Sequence, residues 1–429
     1  MRVSVLTYGC KLNQYESELM AEKLENEGYI VVNEEVESDV FVINSCVVTN
    51  EATRKIKQQI RRLKRKFPGA KVVVTGCYSQ LGFEELEKEG VDLVLGNNEK
   101  KYIDRYLGES GIFVDKAYWN RNSLEDEFVF SSLAERTRAF IKVQDGCTNT
   151  CSYCAIRFAR GNKIRSKPVD LVVSEVLRLV NKDYKEIVIT GLNLGKFGKD
   201  IDSSLHELLR SLVKIKGDFR IRLSSINPED LDEELISLIG AEEKICNHLH
   251  IPLQSGSTDV LKNMRRNYTQ DDYLRVVDSI RKVDPNFSIT TDIMVGFPGE
   301  SEKDFEETLK VVREVLFSKV HAFRYSDRPN TLASKMPKKV PGNVKKERVE
   351  VLEKLSAAVA KDYRKRLVGR KAKVLIESYK NKIYSGYDEY YVLHETSHGE
   401  FGKIENVTIQ AVTDEGVISK KYERKVSNR

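Results

Sequence analysis

Three cysteines near the middle of the chain are spaced so that they could bind one inorganic centre. Cys147, Cys151 and Cys154 have three and then two residues between them. A structural zinc ion usually takes four Cys or His ligands, and no fourth such residue lies close by in sequence. Three thiolates instead suit a four-iron cluster that leaves one iron open for a substrate or cofactor. The spacing therefore favours an iron–sulfur site over a bare structural thiol cluster.

Three other cysteines follow strands that the N-terminal part of the sequence predicts. Apolar runs alternate there with helical patterns, which is typical of a parallel sheet with crossover helices. The strand-like runs cover residues 3–7, 40–44, 71–75 and 92–95, and the helical patterns cover 16–27, 51–66 and 82–89. Cys10, Cys46 and Cys77 each lie just past one strand, at the edge where the loops of an open α/β sheet converge. We expect these thiols to meet and bind a second cluster, with chance placement of buried thiols as the alternative.

Length and composition describe a globular protein of two or three domains. The chain has 429 residues, of which 40% are hydrophobic and 32% are charged. It contains no apolar run of about 18 residues, so we expect no membrane helix. The first residues predict a buried strand and lack the apolar core of a signal peptide, which predicts a cytoplasmic protein. Thiols stay reduced in that compartment, so the cysteines are expected to be ligands or catalytic groups rather than disulfides.

A second series of strand and helix patterns starts at residue 138, after an irregular linker predicted at 115–135. Its strand patterns cover residues 139–143, 186–190, 220–224, 248–253, 288–294 and 320–325. Repeated βα units, with the Cys147 loop directly after the first strand, predict an open or partial (β/α)6 barrel whose active site lies at the carboxyl ends. Apolar runs at 373–376, 390–393, 406–409 and 416–418 predict a small antiparallel barrel. The predicted domains are 1–114, 136–366 and 367–429.

Polar turns at the ends of the barrel strands are candidate ligand contacts. Glycine lets a backbone approach a ligand closely, and hydroxyl and amide groups can bind ribose, amine or carboxylate groups. Taken singly, each position is equally well explained as a simple turn. The candidates, together with the aromatic residue before the last cysteine of the loop, are Tyr153, Gly191, Asn193, Ser224, Gln254 and Gly296.

A strongly basic segment covers residues 54–66, with eight Lys or Arg residues and no acidic residue. Ile56, Ile60 and Leu63 recur at helical spacing and would face the core, which leaves a basic face outward. A second basic stretch, 335–373, has 14 Lys and Arg against 4 Asp and Glu. A solvated helix face is the alternative, but the bias in sign favours contact with RNA phosphates. The candidate RNA contacts are Arg54, Arg61, Arg62 and Arg65.

Residues 394–398 match the zinc-protease pattern H-E-x-x-H. That chemistry needs both imidazoles on one face of a helix, whereas this segment follows an apolar strand pattern and is followed at once by Gly399. We therefore reject a zinc protease. Cys246 stands apart from both cysteine sets and is expected to be a buried free thiol.

With both cysteine sets identified, the chain resembles the methylthiotransferases of the radical S-adenosylmethionine (SAM) superfamily. The match runs end to end, through an N-terminal methylthiotransferase domain, a radical SAM domain and a TRAM domain, which is a small nucleic-acid-binding β-barrel. The segments TYGCKLNQYES (7–17) and NSCVVT (44–49) resemble the branch that acts on N6-threonylcarbamoyladenosine in tRNA. The isopentenyladenosine branch has Met where this chain has Leu12, and the ribosomal-protein branch has Pro where it has Lys11.

The resemblance implies two [4Fe-4S] clusters and SAM. Cys147, Cys151 and Cys154 would hold the cluster that chelates SAM, whose cleavage releases a 5′-deoxyadenosyl radical. Cys10, Cys46 and Cys77 would hold an auxiliary cluster that presents sulfur. The radical would abstract hydrogen from C2 of the modified adenosine, sulfur would be inserted there, and a second SAM would supply the methyl group. The polar turn residues and Tyr153 would then be SAM contacts.

The same resemblance implies the partners: the anticodon stem-loop of tRNA, and an electron donor such as a flavodoxin or ferredoxin. The threonyl carboxylate of the modified base calls for a cation nearby, for which Arg157, Arg160 and Lys163 are candidates. Action on isopentenyladenosine or on a ribosomal protein side chain is the alternative within the family. A non-catalytic two-cluster redox or RNA-binding protein is the alternative from another class.

Overall fold

The computed structural model describes residues 1–120, 124, 125, 127 and 137–422, which form three folded units. The sheet of the first unit ends at Phe113 and the third unit begins at Lys371. Most of the predicted linker lies outside the described residues (121–123, 126 and 128–135), as does the C-terminal segment 423–429. Within the described residues, no helix is long and apolar enough to cross a membrane.

The first unit is the predicted parallel α/β sheet. Its strands are Arg2–Thr7 (β1), Ile30–Val32 (β2), Val40–Ser45 (β3), Lys71–Gly76 (β4), Leu93–Leu95 (β5) and Gly111–Phe113 (β6). Its helices are Lys11–Asn26 (α1), Asn50–Lys66 (α2), Cys77–Lys88 (α3) and Ile103–Tyr106 (α4). The strands pair in parallel in the order β2-β1-β3-β4-β5-β6, so their carboxyl ends share one edge. The sequence does not predict the outermost strands, because three residues are too few to show a period.

The second unit is a partial barrel of parallel strands with helices outside. Its strands are Arg138–Asp145 (β7), Arg165–Ser166 (β8), Glu186–Gly191 (β9), Arg220–Leu223 (β10), His248–His250 (β11), Ser288–Val295 (β12) and Lys319–Arg324 (β13). Its helices are Ile156–Arg160 (α5), Val169–Asn181 (α6), Leu205–Val213 (α7), Glu233–Ala241 (α8), Thr258–Asn263 (α9), Gln270–Val283 (α10), Glu302–Val315 (α11) and Gly342–Lys365 (α12). The sheets β10-β9-β7-β8 and β11-β12-β13 are joined by bridges from Ile221 to Ile245 and from Ser225 to His250. This arrangement confirms the predicted partial barrel, with β8 as a short antiparallel addition.

The barrel has an apolar outer face and a polar inner face. The two faces differ because alternate residues of each strand point to opposite sides. Residues such as Ile187, Ile221 and Ile289 join the hydrophobic core beneath the outer helices. Their neighbours along the strands therefore point inward. Helix α1 of the first unit lies against this inner face, since Tyr15 pairs with Phe140 in a small buried cluster. The N-terminal domain thus covers part of the open barrel.

The third unit is a closed five-stranded barrel. Its strands are Lys371–Lys380 (β14), Ile383–Tyr387 (β15), Leu393–Thr396 (β16), Ile404–Val412 (β17) and Val417–Lys421 (β18). The order around the barrel is β14-β15-β16-β18-β17. One pairing differs from the antiparallel expectation: β18 lies between β17 and β16, so it runs antiparallel to the first and parallel to the second. The run predicted at 390–393 is mostly a turn, in which Tyr391 has a φ of 62°.

The protease-like segment is part of this barrel and not of a helix. His394 lies in β16, is fully buried, and is hydrogen-bonded through its two ring nitrogens to Ser419 and Asp388. The absence of a helix there confirms the rejection of a zinc protease. Cys246 is also buried, as expected, and burial raises the pKa of its thiol to about 11.

A buried carboxylate joins the third unit to the lower end of the partial barrel. Glu186 is fully buried and accepts hydrogen bonds from Arg220 at 2.6 Å and from Arg222 at 2.7 Å. The same two guanidinium groups donate to the carbonyl oxygens of Tyr387 and Asp388 in the C-terminal barrel. Burial alone would raise the pKa of Glu186, but the surrounding arginines hold it well below its usual range.

Replacing Glu186 by Gln should destabilise the fold by about 3–5 kcal/mol, because it leaves buried guanidinium groups without their carboxylate. Chemical denaturation of the purified protein, followed by circular dichroism, measures this loss. Glu234→Gln is the matched control: its exposed pair with Arg210, at 2.7 Å, should contribute less than about 1 kcal/mol. Equal stability of the two variants would show that Glu186 does not hold the domains together.

Candidate metal centres

The loop between β7 and α5 carries the first set of cysteines at the carboxyl end of the barrel. The backbone N–H of Cys147 donates to the carbonyl oxygen of Gly161 at 3.2 Å, which ties the start of the loop to the residue after α5. Burial, followed by the charges of the neighbouring Cys151 and Cys147 thiols, raises the pKa of the Cys154 thiol to about 11. The three half-buried thiols are therefore neighbours in this loop.

A chain of hydrogen bonds connects two of these thiols from the far side of the barrel. Arg266 donates to Cys151 Sγ at 3.3 Å and to Asn227 Oδ1 at 2.6 Å. The amide of Asn227 then donates to Asn193 Oδ1 at 3.0 Å, and Asn193 Nδ2 lies 3.7 Å from Cys147 Sγ. A guanidinium group and amide donors next to thiolates stabilise the negative charge of an iron–sulfur cluster.

One predicted contact residue has a buried polar group that suits a ligand. Ser224 directly follows β10 and is buried, and its hydroxyl has no hydrogen-bond partner within the described residues. The two carboxylate oxygens of Glu229, which the sequence analysis does not single out, also lack a partner there, and burial raises the pKa of this carboxyl. Buried polar atoms are normally paired, so these atoms mark a place where a polar cofactor would complete the hydrogen bonding. Gly191 packs against Gln144, in keeping with a close backbone turn.

The other predicted contact residues lie at the same end of the barrel. Gln254 has a φ of 64°, a left-handed conformation held because its carbonyl accepts from Met294 N–H at 2.8 Å. Gly296 has a φ of 73°, and a side chain there would clash with Lys345. Packing therefore explains this glycine without a ligand. Tyr153 packs in a cluster with Phe297, and burial raises its pKa well above the usual value.

The second set of cysteines lies at the carboxyl edge of the N-terminal sheet. Cys10 caps α1, Cys46 directly follows β3, and Cys77 opens α3. A Cβ atom on Gly9 would lie 3.4 Å from Cys46 Sγ, so the chain next to Cys10 touches that thiol. Burial, followed by the charges of the Cys77 and Cys10 thiols, raises the pKa of Cys46 to about 11. The three thiols are therefore neighbours at this edge of the sheet.

Gly76 explains how the chain turns from β4 into α3. Its φ is 99°, and a Cβ atom there would lie only 2.5 Å from the carbonyl oxygen of Ser45. The sharp turn places Cys77 in the first turn of a helix, where the positive end of the helix dipole favours a thiolate. Within the described residues, no three His, Cys, Asp or Glu side chains are arranged to bind a single metal ion.

The three cations that the sequence offers for a substrate carboxylate have different surroundings. Arg160 is buried and bonded to Glu16, Asp145 and Cys77, so its guanidinium is already occupied. Arg157 is half-buried on the same helix and Lys163 is exposed. The structure thus removes Arg160 from the candidates for carboxylate binding.

The basic face of α2 is more nearly neutral than its sequence indicates. Three of the four candidate RNA contacts are paired with acidic residues, namely Arg54 with Glu51 (2.6 Å), Arg61 with Glu89 (2.7 Å) and Arg62 with Glu35 (3.1 Å). Arg65 is exposed and has no ion pair within the described residues. An RNA phosphate would have to compete with the carboxylates at the first three positions.

Comparison with known proteins decides the family. The model of the radical SAM superfamily matches residues 141–312, and that of the uncharacterized protein family UPF0004 matches residues 2–96. The threonylcarbamoyladenosine tRNA methylthiotransferase MtaB of Thermotoga maritima is 49% identical over 422 residues, which cover 97% of this chain and 96% of that protein. The chain belongs to the radical SAM methylthiotransferases. Membership in this family implies SAM and [4Fe-4S] clusters as cofactors.

Other relatives fall in two branches of the methylthiotransferases. MtaB of Aquifex aeolicus is 39% identical over 95% of this chain and all (100%) of its own length. A tRNA-2-methylthio-N(6)-dimethylallyladenosine synthase of Caldicellulosiruptor saccharolyticus is 36% identical over 88% of this chain and 82% of that protein. Among solved structures, the radical SAM methyltransferase TsrM of Kitasatospora setae, with cobalamin and a [4Fe-4S] cluster bound, is similar with a TM-score of 0.57. It is 15% identical and covers 78% of this chain and 77% of its own, so this similarity concerns the fold alone.

Removing one cysteine set should remove one cluster and leave the other. We expect roughly eight irons in the anaerobically reconstituted protein if each set binds a four-iron cluster. The variant with Cys147, Cys151 and Cys154 replaced by Ala should keep about half of the iron and lose SAM cleavage. The variant with Cys10, Cys46 and Cys77 replaced should also keep about half, yet still cleave SAM. Iron analysis and 5′-deoxyadenosine formation measure both effects, and full iron in the second variant would exclude an auxiliary cluster.

Proposed function

We propose that this protein inserts sulfur at C2 of N6-threonylcarbamoyladenosine beside the anticodon of tRNA and methylates it, giving the 2-methylthio derivative. The observation that carries the proposal is that two sets of three thiols, one on the N-terminal sheet and one on the barrel, lie on domains joined by buried contacts such as those of Arg160 with Cys77 and Glu16. A sulfur insertion needs both a radical source and a sulfur source close to the same base. The identity to proteins with this named activity supports the same substrate.

The residues of the chain have separable roles in this proposal. Cys147, Cys151 and Cys154 would hold the SAM-chelating cluster, and Cys10, Cys46 and Cys77 the auxiliary cluster. When bound, the clusters and SAM supply the electron, the radical, the sulfur and the methyl group. The protein orients the thiols through donors such as Arg266 and excludes water by burial.

A cation inside the barrel supports a substrate that carries a carboxylate. Lys11 follows Cys10 at the start of α1, and burial together with the charges of Arg222 and Arg138 lowers its pKa to about 8. The charge of Lys11 also contributes to lowering the pKa values of His248 and His321, although burial is the larger cause. These neighbours belong to β7, β10, β11 and β13. The charge of Lys11 therefore acts on groups from four strands of the barrel.

The carboxylate of Glu186 and the thiol of Cys10 raise the pKa of Lys11, but less than burial and the charges of Arg222 and Arg138 lower it. Within the described residues, its ammonium group makes no hydrogen bond and no ion pair, whereas the nearby Glu186 is bonded to two arginines. An isopentenyl group would require an apolar wall at such a place, while a threonyl carboxylate would gain a charge-assisted contact. We therefore infer that Lys11, rather than Arg160, binds the carboxylate.

The substrate proposal is tested with two tRNAs, one bearing threonylcarbamoyladenosine and one bearing isopentenyladenosine. The reconstituted enzyme should add a methylthio group only to the first, as measured by mass spectrometry of the product nucleosides. Lys11→Gln should lower kcat/KM for that tRNA by roughly 10- to 100-fold, since hydrogen bonds to charged groups contribute about 1.5–3 kcal/mol. Its iron content and SAM cleavage should stay unchanged, and Lys11→Arg should restore most of the activity.

Two results would contradict parts of this proposal. Turnover of the isopentenyl tRNA alone would exclude the substrate while leaving the chemistry intact. Full activity of Lys11→Gln would exclude Lys11 as the carboxylate contact, and the exposed Lys163 would then be the next cation to replace.

We propose that α2 contributes to tRNA binding through phosphate contacts without reading sequence. Each lost contact should flatten the salt dependence of binding by roughly 0.7 to 0.9 in the slope of log K against log salt. Because Arg65 has no ion pair among the residues that the structure describes and Arg61 is paired with Glu89, Arg65→Gln should weaken binding more than Arg61→Gln. Filter binding at several salt concentrations measures both. If Arg65→Gln leaves the tRNA affinity and its salt dependence unchanged, α2 is a solvated surface helix that does not contact RNA.

We also propose a cytoplasmic protein that receives electrons from a flavodoxin or ferredoxin. Free cysteines at both sites suit a reducing compartment. The anticodon stem-loop of tRNA is the partner that the proposed reaction requires.

A further inference from the structure

Arg160 is the largest polar side chain that the fold buries beside a candidate metal centre. Only 1% of its surface is exposed. Its Nε–H donates to Cys77 Sγ at 3.2 Å, so a guanidinium group from the barrel touches a thiol of the N-terminal sheet. This contact crosses between the two cysteine sites and joins two different domains.

The rest of the guanidinium group is fixed by partners from both domains. Nη1 donates to Glu16 at 2.7 Å and to Asp145 at 3.2 Å, while Nη2 donates to Asn13 at 2.8 Å and to Glu16 at 2.9 Å. Burial alone would disfavour the charge, but Cys77, Glu16 and Asp145 keep the pKa of Arg160 well above its usual value. The cation therefore has one orientation, with Nε aimed at the sulfur.

The backbone around Arg160 belongs to the loop that carries the other cysteine set. Helix α5 starts at Ile156, two residues after Cys154, and ends at Arg160. The next residue, Gly161, accepts the hydrogen bond from Cys147 N–H. The preceding residue, Ala159, is buried in the hydrophobic core of the N-terminal domain. Arg160 thus connects the SAM-cluster loop directly to the opposite sulfur site.

We propose that Arg160 is a positioning residue that fixes the auxiliary cluster relative to the SAM-cluster loop and raises its reduction potential. The inference rests on the proposed function, because it requires that Cys10, Cys46 and Cys77 hold an iron–sulfur cluster. Reduction adds negative charge to a cluster, and a nearby cation with an N–H···S hydrogen bond stabilises the reduced form. Loss of this charge should therefore make the auxiliary cluster harder to reduce.

The test isolates the auxiliary cluster in the full chain, with Cys147, Cys151 and Cys154 replaced by Ala. A redox titration followed by electron paramagnetic resonance (EPR) then reports only that cluster. Adding Arg160→Gln should shift its midpoint potential to a lower value and change its EPR signal. Arg160→Lys keeps the positive charge but loses the planar set of guanidinium N–H donors, so it should give an intermediate potential. Arg210→Gln, which removes an exposed surface charge, should leave the potential unchanged.

The variant that lacks the auxiliary-cluster cysteines separates a local effect of Arg160 on that cluster from a general loss of structure. In the variant with Cys10, Cys46 and Cys77 replaced by Ala, Arg160→Gln should leave the EPR signal of the SAM cluster unchanged. In the intact enzyme, Arg160→Gln should raise the amount of 5′-deoxyadenosine formed per methylthio product, because radical formation continues while sulfur transfer is misaligned. A merely structural role would lower both together.

The outcomes distinguish this inference from the proposed function. An auxiliary cluster whose potential and EPR signal are the same with Arg160 and with Gln would overturn the role of Arg160 alone. If the Arg160→Gln variant does not retain the auxiliary cluster, the Arg160→Lys variant provides the test. A midpoint potential of its auxiliary cluster equal to that in the protein with Arg160 would overturn the inference. Absence of any cluster in the parent background would overturn both proposals. If Arg160→Gln shifts the potential of the auxiliary cluster but the wild-type enzyme forms no methylthio product, only the substrate proposal would be overturned.

Discussion

A buried carboxylate lies at the centre of the contact between the N-terminal domain and the barrel. Glu16 of α1 binds Lys100 at 2.5 Å, Lys142 at 3.1 Å and Arg160 at 2.7 Å, and all four side chains are at most 3% exposed. Burial alone would raise the pKa of Glu16, but the three cations hold it well below its usual range. Because a buried ion left without its partners is costly, this network stabilises the observed arrangement of the two domains.

That arrangement determines the chemistry that the protein can perform. Glu16 lies one and a half turns along α1 from Cys10, and Arg160 ends the helix that follows Cys154. One ionic network therefore fixes both thiol sites at once. The same helix α1 carries Lys11, whose pKa is lowered by burial and by the charges of Arg222 and Arg138 of the barrel. The proposed radical source, sulfur source and substrate cation therefore all depend on the docking of α1.

The cysteine sites could be predicted from sequence because short stretches of the chain mark the residues that form them. The spacing of Cys147, Cys151 and Cys154 is visible in eight residues, and Cys10, Cys46 and Cys77 follow apolar runs whose period marks strands. The fold class followed from the same periods. The parallel pair of β16 and β18 did not, since pairing between strands distant in sequence leaves no local pattern.

The polar partners of the thiols could not be predicted in the same way. Asn227, Arg266 and Arg160 are single residues in unremarkable contexts, and only the tertiary fold brings them to sulfur atoms. The basic segment of α2 was overestimated for a related reason. Its acidic partners Glu35 and Glu89 come from other parts of the chain, so the sequence of the helix alone does not show its neutralisation.

The central claim is that this chain adds a methylthio group to threonylcarbamoyladenosine in tRNA. Mass spectrometry of tRNA nucleosides from a strain that lacks the gene tests it most directly. The account predicts loss of the 2-methylthio derivative, accumulation of unmodified threonylcarbamoyladenosine, and restoration by the wild-type gene. A gene in which Cys10, Cys46 and Cys77 are replaced by Ala should not restore it. An unchanged level of the 2-methylthio derivative in the deletion strain would contradict the account.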